Sequence, residues 1–185
     1  MTTVALIFLV CLTPFVLSYL VYYFWPPQSR MNYGTLVDPR PFPVASLDRS
    51  DGTRFSIAEL KGRWVMLQVD ASSCAEPCRR KLYGMRQVRL TQGREMGRIE
   101  RLWLVRDEDP VEPALLREYE GTHVVRAGSG TLVALSAEHD AADHIYLIDP
   151  LGNLMLRFPQ DADPSRMKND LERLLKVSWR PIQKD

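Results

Sequence analysis

The stretch that decides the fold is RWVMLQVDASSCAEPCRRKL, residues 63 to 82. Its first part, Arg63 to Val69, is a short and nearly continuous apolar run, which is typical of a strand covered on both faces. Its second part opens a helical pattern that runs from about Glu76 to Gln92. The sequence therefore predicts a buried strand that passes directly into a helix.

Two cysteines, Cys74 and Cys78, lie at this junction between strand and helix. Ligand sites in open α/β sheets lie at the carboxyl ends of strands, so the pair stands where a site is expected. A helix that begins near Glu76 puts Cys78 on one face with Leu82 and leaves Cys74 just ahead of it, so the two thiols should face each other. Helix N-terminal amides and nearby cations favour the thiolate form, and the cations here are Arg79, Arg80 and Lys81.

A thiol pair of this kind supports more than one chemistry. Thiolates are soft ligands that suit Cu(I) or zinc, and the same pair can close as a disulfide. A structural zinc site is disfavoured because no second Cys/His pair stands at the usual spacing. Two buried cysteines that are close by coincidence are a further interpretation, but random placement would seldom put them at such a junction.

The segments around this unit alternate between strands and helices. Before it, Asp51-Gly52 lies between two short apolar segments and predicts a hairpin. The elements predicted after it are strand Arg101–Val105, helix Glu112–Tyr119, strand Thr122–Arg126, strands Ile145–Ile148 and Leu154–Phe158 around a turn, and a helix that begins at Pro164. A β-α-β half followed by a β-β-α half fits a central mixed sheet with helices on both faces, which is the thioredoxin-like arrangement.

The N-terminal segment predicts a membrane anchor. No charged side chain occurs from Met1 to Ser29, and the apolar run Val4 to Phe24 can cross a hydrocarbon core of about 30 Å. A cleaved signal peptide is the alternative, and it fits less well because no basic residues precede the run and no small-residue cleavage site follows it. We expect a transmembrane helix at residues 4–25, a proline-rich linker at 26–43, the thioredoxin-like domain at 44–178 and a tail at 179–185.

The composition excludes several classes of function. The chain has 24 basic and 23 acidic side chains and a net charge of +1, which gives no case for nucleic-acid binding. With 3 cysteines it is not a disulfide-stapled miniprotein. It also lacks a Gly-rich phosphate loop, a Ser-His-Asp order and an H-E-x-x-H zinc motif.

On these residues the sequence resembles the Sco/SenC-type proteins, which are membrane-anchored, thioredoxin-fold copper chaperones for cytochrome oxidase. The similarity covers the anchor, the linker and residues 44 to 177. Its specific parts are the C-x-x-x-C motif at Cys74 and Cys78 and the strand-turn-strand DHIYLIDPLGNL at residues 143 to 154. It is most similar to a divergent Sco-like branch found with oxidase assembly proteins in proteobacteria.

The resemblance implies copper as the metal bound by Cys74 and Cys78. It also implies a single span in the bacterial inner membrane, with the soluble domain in the periplasm. The implied partner is a terminal oxidase subunit or another copper-site protein.

The sequence departs from the family pattern around both parts of the metal site. Family members usually have proline after each cysteine, where this chain has Ala75 and Arg79. Their third copper ligand is a histidine five residues before the tyrosine that corresponds to Tyr146, and this chain has Ala141 there. The resemblance therefore carries over to the two cysteines more securely than to the histidine.

Two histidines, His139 and His144, lie on either side of that position. His144 directly precedes the strand that begins at Ile145, so its backbone should be fixed by the sheet and it is the preferred third ligand. His139 lies in an acidic irregular stretch and would need that loop to fold inward. A site without any histidine ligand is the third alternative.

Three functions follow from these observations. The leading hypothesis is a Sco-like assembly factor for cytochrome c oxidase that binds copper or maintains copper-site thiols, as an exchange protein and not a turnover enzyme. The first alternative is a membrane-tethered thiol-disulfide oxidoreductase in which Cys74 attacks and Cys78 resolves, although redox thioredoxins have two residues between the cysteines where this chain has three. The second alternative, supported by Ala141, is a Sco-like scaffold that has lost metal binding.

The apolar run predicts how the protein behaves in membranes. The full-length chain should stay with the membrane fraction after carbonate washing, because the uncharged segment Val4 to Phe24 is stable in hydrocarbon. A chain that starts at Arg30 should be soluble under the same conditions. A mature N-terminus mapped between residues 25 and 30 would instead identify a cleaved segment.

Overall fold

The computed structural model describes residues 2–24, 32–42, 47–49, 52–126, 135 and 140–178. The chain divides into two compact units, residues 1–31 and residues 32–185. In the described part of the first unit the chain forms one helix, α1, from Thr2 to Phe24. Within it, Leu6–Phe24 has a mean hydropathy of 2.1 over 19 residues and no buried residue. By length and composition α1 is a candidate membrane span, as predicted.

The second unit is built on one mixed sheet, in which eight strands lie within the described residues. The strands are β1 (Thr35–Pro41), β2 (Leu47–Arg49), β3 (Arg54–Phe55), β4 (Trp64–Asp70), β5 (Ile99–Val105), β6 (Thr122–Arg126), β7 (His144–Ile148) and β8 (Asn153–Pro159). The α-helices whose full range is described are α2 (Glu76–Thr91), α3 (Pro113–Glu118) and α4 (Pro164–Val177), and short 3-10 helices cover Ile57–Leu60, Gly93–Arg98 and Ala141–Asp143.

The strand order is β1-β8-β7-β4-β5-β6-β2-β3. The pairs β4–β5 and β5–β6 are parallel, and all other neighbouring pairs are antiparallel. The parallel pair β4–β5 is joined through α2, which is the predicted β-α-β half. The predicted hairpin joins β2 to β3, and the predicted turn joins β7 to β8.

Both faces of β4 are buried, because alternate side chains enter two different cores. Trp64 and Met66 join one core with residues of α2, α3 and α4, whereas Val65 and Leu67 join the other. The second core includes the 3-10 helix Ile57–Leu60 and helical Leu135, among the residues that the structure describes. The predicted thioredoxin-like sheet flanked by helices is confirmed: α2, α3 and α4 pack into the first core, and helical Leu135 and the 3-10 helix Ile57–Leu60 pack into the second.

Part of the predicted linker is a strand. Residues 35–41 form β1, which pairs with β8 so that Thr35 lies opposite Arg157 and Pro41 lies opposite Asn153. The prolines had indicated a linker, but β1 is an edge strand, where proline is tolerated because an N–H group on the outer side has no ladder partner to lose. The sheet therefore starts before residue 44, whereas residues 25–31, 43–46 and the predicted tail at 179–185 lie outside the described residues.

Close packing fixes the segment that leads into β1. The Gly34 N–H donates a buried hydrogen bond of 2.9 Å to Oδ2 of Asp170 on α4, and Asp170 is only 4% exposed. A methyl group on Gly34 would collide with the Leu156 side chain and would stand 2.8 Å from Cε1 of Phe158. Glycine is therefore required here by the close approach of the chain to β8.

Replacing Gly34 with alanine should lower the free energy of unfolding by about 1–3 kcal/mol, because the added methyl overpacks the core. Urea unfolding of the full-length protein in detergent, followed by circular dichroism, measures the change. Gly97→Ala is the matched control, since no atom lies within 4 Å of the position its methyl would take. Equal midpoints for the two variants would contradict the packing argument.

Candidate functional site

Cys74 and Cys78 are joined by a disulfide, with their Cα atoms 5.1 Å apart. Cys74 precedes α2, which begins at Glu76, and Cys78 lies in the first turn of the helix. Both cysteines are 1% exposed and belong to the core that α2 and α4 share with the sheet. The predicted approach of the two sulfurs is present, but the pair is covered and does not lie on an open surface.

The turn that carries Cys74 is held in an uncommon backbone conformation. Cys74 has a φ of +40°, in the left-handed region that side chains disfavour, and such residues store strain of about 1–3 kcal/mol. Its N–H donates to the Ala71 carbonyl at 3.1 Å, and its carbonyl accepts from Nε of Arg79 at 3.2 Å. The Ser72 N–H donates to both carboxylate oxygens of Asp107, at 3.1 and 3.0 Å. These bonds define the shape of the turn before α2.

A buried amide contacts the second sulfur. Gln68 on β4 is fully buried, and its Nε2 donates to Sγ of Cys78 at 3.4 Å. Its Oε1 has no hydrogen-bond partner among the described residues. Sequence reasoning gave Gln68 no role, although a polar residue inside an apolar strand that is covered on both faces is a signal that could have found it. An N–H donor at this distance stabilises negative charge on the Cys78 sulfur once the disulfide is reduced.

A buried ion pair lies next to the cysteine turn. Nζ of Lys81 stands 2.6 Å from Oδ2 of Asp70, and the two side chains are 0% and 14% exposed. The same ammonium donates to the Ala142 carbonyl at 2.6 Å and to the Val69 carbonyl at 3.4 Å. Burial raises the pKa of the Asp70 carboxyl, and the Lys81 ammonium opposes that rise. Lys81 therefore ties α2 to the end of β4 and to the residues before β7.

The basic residues that follow Cys78 differ in their burial. Lys81 is as buried as the apolar residues around it. Arg80, by contrast, is exposed. The charge of Lys81 is held in a low-dielectric environment, where its influence on neighbouring groups is stronger than in water.

The structure does not bring His144 together with the cysteines. The His144 ring lies 5.9 Å from the Tyr146 ring, and Tyr146 belongs to the second core. Ile145, the residue between them, joins the first core, which contains both cysteines. Because side chains alternate along a strand, the His144 ring is on the opposite face of the sheet from the disulfide.

Position 141, where the family pattern has its histidine, carries an alanine and supplies no metal ligand. Ala141 is buried in the second core, and His139 lies outside the described residues. Across the described ranges no group of three or more His, Cys, Asp or Glu side chains is arranged to hold a metal ion. The cysteine pair therefore offers two sulfur ligands and the Gln68 amide.

A cavity of about 520 Å³ lies along the first two turns of α2. Charged and apolar residues line it together, among them Glu76, Arg79, Arg80, Tyr119 and Ile145. Its wall includes the first turn of α2, which carries Cys78. Neither cysteine of the disulfide lines the cavity itself.

A family model described as the transmembrane-like, thioredoxin-like, C-terminal domain matches residues 64–178. The chain belongs to this family. The matched region runs from β4 to the end of α4 and contains both cysteines of the disulfide. A search of curated proteins found no match.

Solved structures with the same fold include copper-binding and thiol-exchanging proteins. Apo Sco1 from Thermus thermophilus is 18% identical, with a TM-score of 0.62 over 80% of this chain and 99% of that chain. Yeast Sco1 with copper bound is 19% identical, with a TM-score of 0.61 over 80% and 97%. A thioredoxin-family thiol:disulfide interchange protein from Chlorobium tepidum is 23% identical, with a TM-score of 0.56 over 77% and 97%. The resemblance to Sco-type proteins is confirmed as a likeness of fold.

The buried ion pair gives a stability test. Lys81→Met should lower the free energy of unfolding at neutral pH by about 3–5 kcal/mol, because the Asp70 charge is left buried and unpaired. The loss should shrink as the pH falls through the raised folded-state pKa of Asp70, since the protonated carboxyl needs no counter-charge.

Urea unfolding at several pH values measures both effects. Arg80→Met, which removes an exposed cation from the next position, is the control and should change stability little. A Lys81→Met loss that stays constant from neutral to acid pH would contradict the ion-pair account.

Proposed function

We propose that this protein is a Sco-like, membrane-anchored exchange protein that keeps the cysteine thiols of a copper site reduced while cytochrome c oxidase, or a related terminal oxidase, is assembled. The helix α1 would anchor it in the bacterial inner membrane with the second unit in the periplasm. The observation that carries the proposal is the Cys74–Cys78 disulfide at the start of α2, with a buried hydrogen-bond donor on the Cys78 sulfur.

The ligand set favours thiol chemistry over a three-ligand copper site. Two thiolates suit Cu(I), but Cu(II) prefers nitrogen donors, and the ring of His144, the predicted third ligand, is on the other face of the sheet. A pair of sulfurs without a nitrogen ligand is sufficient for dithiol–disulfide exchange. The site therefore supports reduction of a partner's cysteines more directly than storage of copper in both oxidation states.

In the exchange, the Cys74 thiolate would attack one sulfur of a disulfide in the partner. A Cys74–partner S–S bond forms, the partner's own S–S bond breaks, and one partner thiolate leaves. The Cys78 thiolate then attacks Sγ of Cys74, forms the intramolecular disulfide and releases the second partner thiolate. Two electrons pass to the partner, and its two thiolates take up the protons that Cys74 and Cys78 lost. An external dithiol reductant then reduces the Cys74–Cys78 disulfide for the next cycle.

The geometry assigns different tasks to the two sulfurs. Cys74 lies in the turn before α2, whereas Cys78 is fixed in the helix and contacts Gln68, so Cys74 is the residue that can move toward a partner. Because both sulfurs are covered, the turn must open outward before the attack, and the strained backbone at Cys74 favours departure from the closed conformation. Gln68 stabilises the Cys78 thiolate but cannot accept its proton, because an amide is not a base at neutral pH.

A carrier of Cu(I) is the second candidate, favoured by the likeness to copper-bound yeast Sco1. In that case copper is the cargo, and Cys74 and Cys78 are the residues that would hold it. A scaffold without metal chemistry is a further alternative, and it predicts neither exchange nor copper retention in the experiments below. A thiol-disulfide oxidoreductase with other substrates would use the same exchange steps.

Cysteine variants of the full-length protein in detergent test the exchange function. With an oxidised two-cysteine peptide as partner, Cys78→Ser should accumulate a mixed disulfide through Cys74, and Cys74→Ser should not. Each variant should lower the multiple-turnover rate at least about a hundredfold, as expected when one member of a two-step exchange is lost. Cys11→Ser, which changes the cysteine of α1, is the control and should react as the wild type does. Unchanged rates in both Cys74 and Cys78 variants would overturn the proposal.

Copper loading under reducing conditions separates the two candidates. One Cu(I) retained per chain, lost in Cys74→Ser and kept in His144→Ala, would assign a two-sulfur copper carrier. Retention that depends on His144 would contradict the arrangement on opposite faces of the sheet. Exchange activity without stable copper retention is the result that we expect.

A further inference from the structure

Four arginines meet at a second cavity, which is separate from the disulfide. The cavity has a volume of about 330 Å³ and lies among α2, α3 and β5. The arginines are Arg86, Arg89, Arg101 and Arg117, and the remaining lining residues are Leu90, Glu118, Glu120 and Gly121.

Arg101 is the buried member of this group. It lies in the middle of the sheet on β5 and is 4% exposed. Its Nη2 donates to the Glu120 carbonyl at 2.7 Å, but its Nε and Nη1 have no acceptor among the described residues. A buried guanidinium with unused donors is costly unless an acceptor completes its hydrogen bonds, so its position in the cavity wall points to a ligand.

The other arginines are oriented without being neutralised. Nε of Arg89 donates to the Ile99 carbonyl at 2.7 Å, and Nη1 of Arg86 donates to the Glu118 carbonyl at 3.2 Å. A carbonyl satisfies a donor but carries no compensating charge. Within the described part of the chain, no ion pair of 4.0 Å or less joins any of the four guanidinium groups to a carboxylate.

The positive charges act on one another across the cavity. Burial and the neighbouring Arg89 and Arg86 charges lower the pKa of Arg101 to about 10. At neutral pH Arg101 is still charged, so the cavity keeps the field of several cations. Glu118 and Glu120 stand at the cavity wall, and they supply fewer negative charges than the four arginines supply positive ones.

We propose that this cavity binds a phosphate group. Guanidinium groups match the oxygens of phosphate in geometry and charge, and several of them converging on one cavity favour a multiply charged anion over a single carboxylate. The volume, at the small end for ligand sites, admits a phosphate together with a small organic group, and Leu90 provides an apolar wall for it. The ligand is thus inorganic phosphate, a small phosphate ester or the headgroup of an anionic phospholipid. This inference does not depend on the chemistry of the disulfide.

Phosphate titration of the full-length protein in nonionic detergent tests the site. Calorimetry at constant ionic strength should show saturable binding of inorganic phosphate at one site per chain, with no comparable heat from chloride. Arg117→Ala and Arg101→Lys should each weaken binding about tenfold, which is the loss expected for one charge-assisted hydrogen bond. Arg94→Ala is the control, because Arg94 is an exposed arginine that does not line the cavity, and its affinity should equal that of the wild type.

Glycerol 3-phosphate and short-chain phosphatidic acid, titrated in the same way, identify the source of the phosphate. A preference for either one over inorganic phosphate supports the proposal and names the ligand class.

If Arg101→Lys fails to fold, the exposed Arg117 still allows the comparison. Absence of binding for all three phosphates, or equal affinities in the Arg117 and Arg94 variants, would overturn the proposal. Binding of an acidic peptide without binding of phosphates would also overturn it, and would assign the cavity to a protein partner.

Discussion

Strand β4 is the constraint on which the rest of the domain depends, because it is paired on both edges and covered on both faces. Gln68, in the second half of the strand, lies between Trp103 of β5 and Ile145 of β7. A strand held in this way cannot shift in register without moving its apolar side chains out of both cores. Its end at Asp70 is therefore fixed, and so is the turn that carries the cysteines.

Two polar groups modify the end of this apolar strand, and both act on the cysteine turn. Lys81 forms an ion pair with Asp70 and donates hydrogen bonds to the carbonyls of Val69 and Ala142. One buried ammonium therefore links α2 to β4 and to the segment before β7. Gln68 places an N–H donor on the Cys78 sulfur. Burying the Lys81 ammonium or the Gln68 amide away from water costs free energy. That cost is offset only when their hydrogen-bond partners are in position, so the two side chains favour a single arrangement around the disulfide.

The likeness of fold extends both to copper-bound Sco1 and to a thiol:disulfide interchange protein, so the fold does not choose between metal and thiol chemistry. Which of the two chemistries the site supports depends on the side chains around the cysteine pair. Here the pair Cys74 and Cys78 is accompanied by an amide, and the ring of His144 lies across the sheet. The cavity lined by Arg86, Arg89, Arg101 and Arg117 is a distinct feature and does not contain the cysteines.

The sequence by itself determined the candidate membrane span, the order of the main strands and helices and the cysteine pair, because hydropathy, periodicity and residue spacing are local properties. It did not reveal β1, because the pairing of a proline-containing edge strand depends on a distant partner, β8. The burial of Lys81 and Arg101, the contact of Gln68 with Cys78 and the face occupied by His144 were decided only by the tertiary structure. All of these features depend on which elements pack against a given side chain. A shift of one residue in strand register moves a side chain from one face of the sheet to the other.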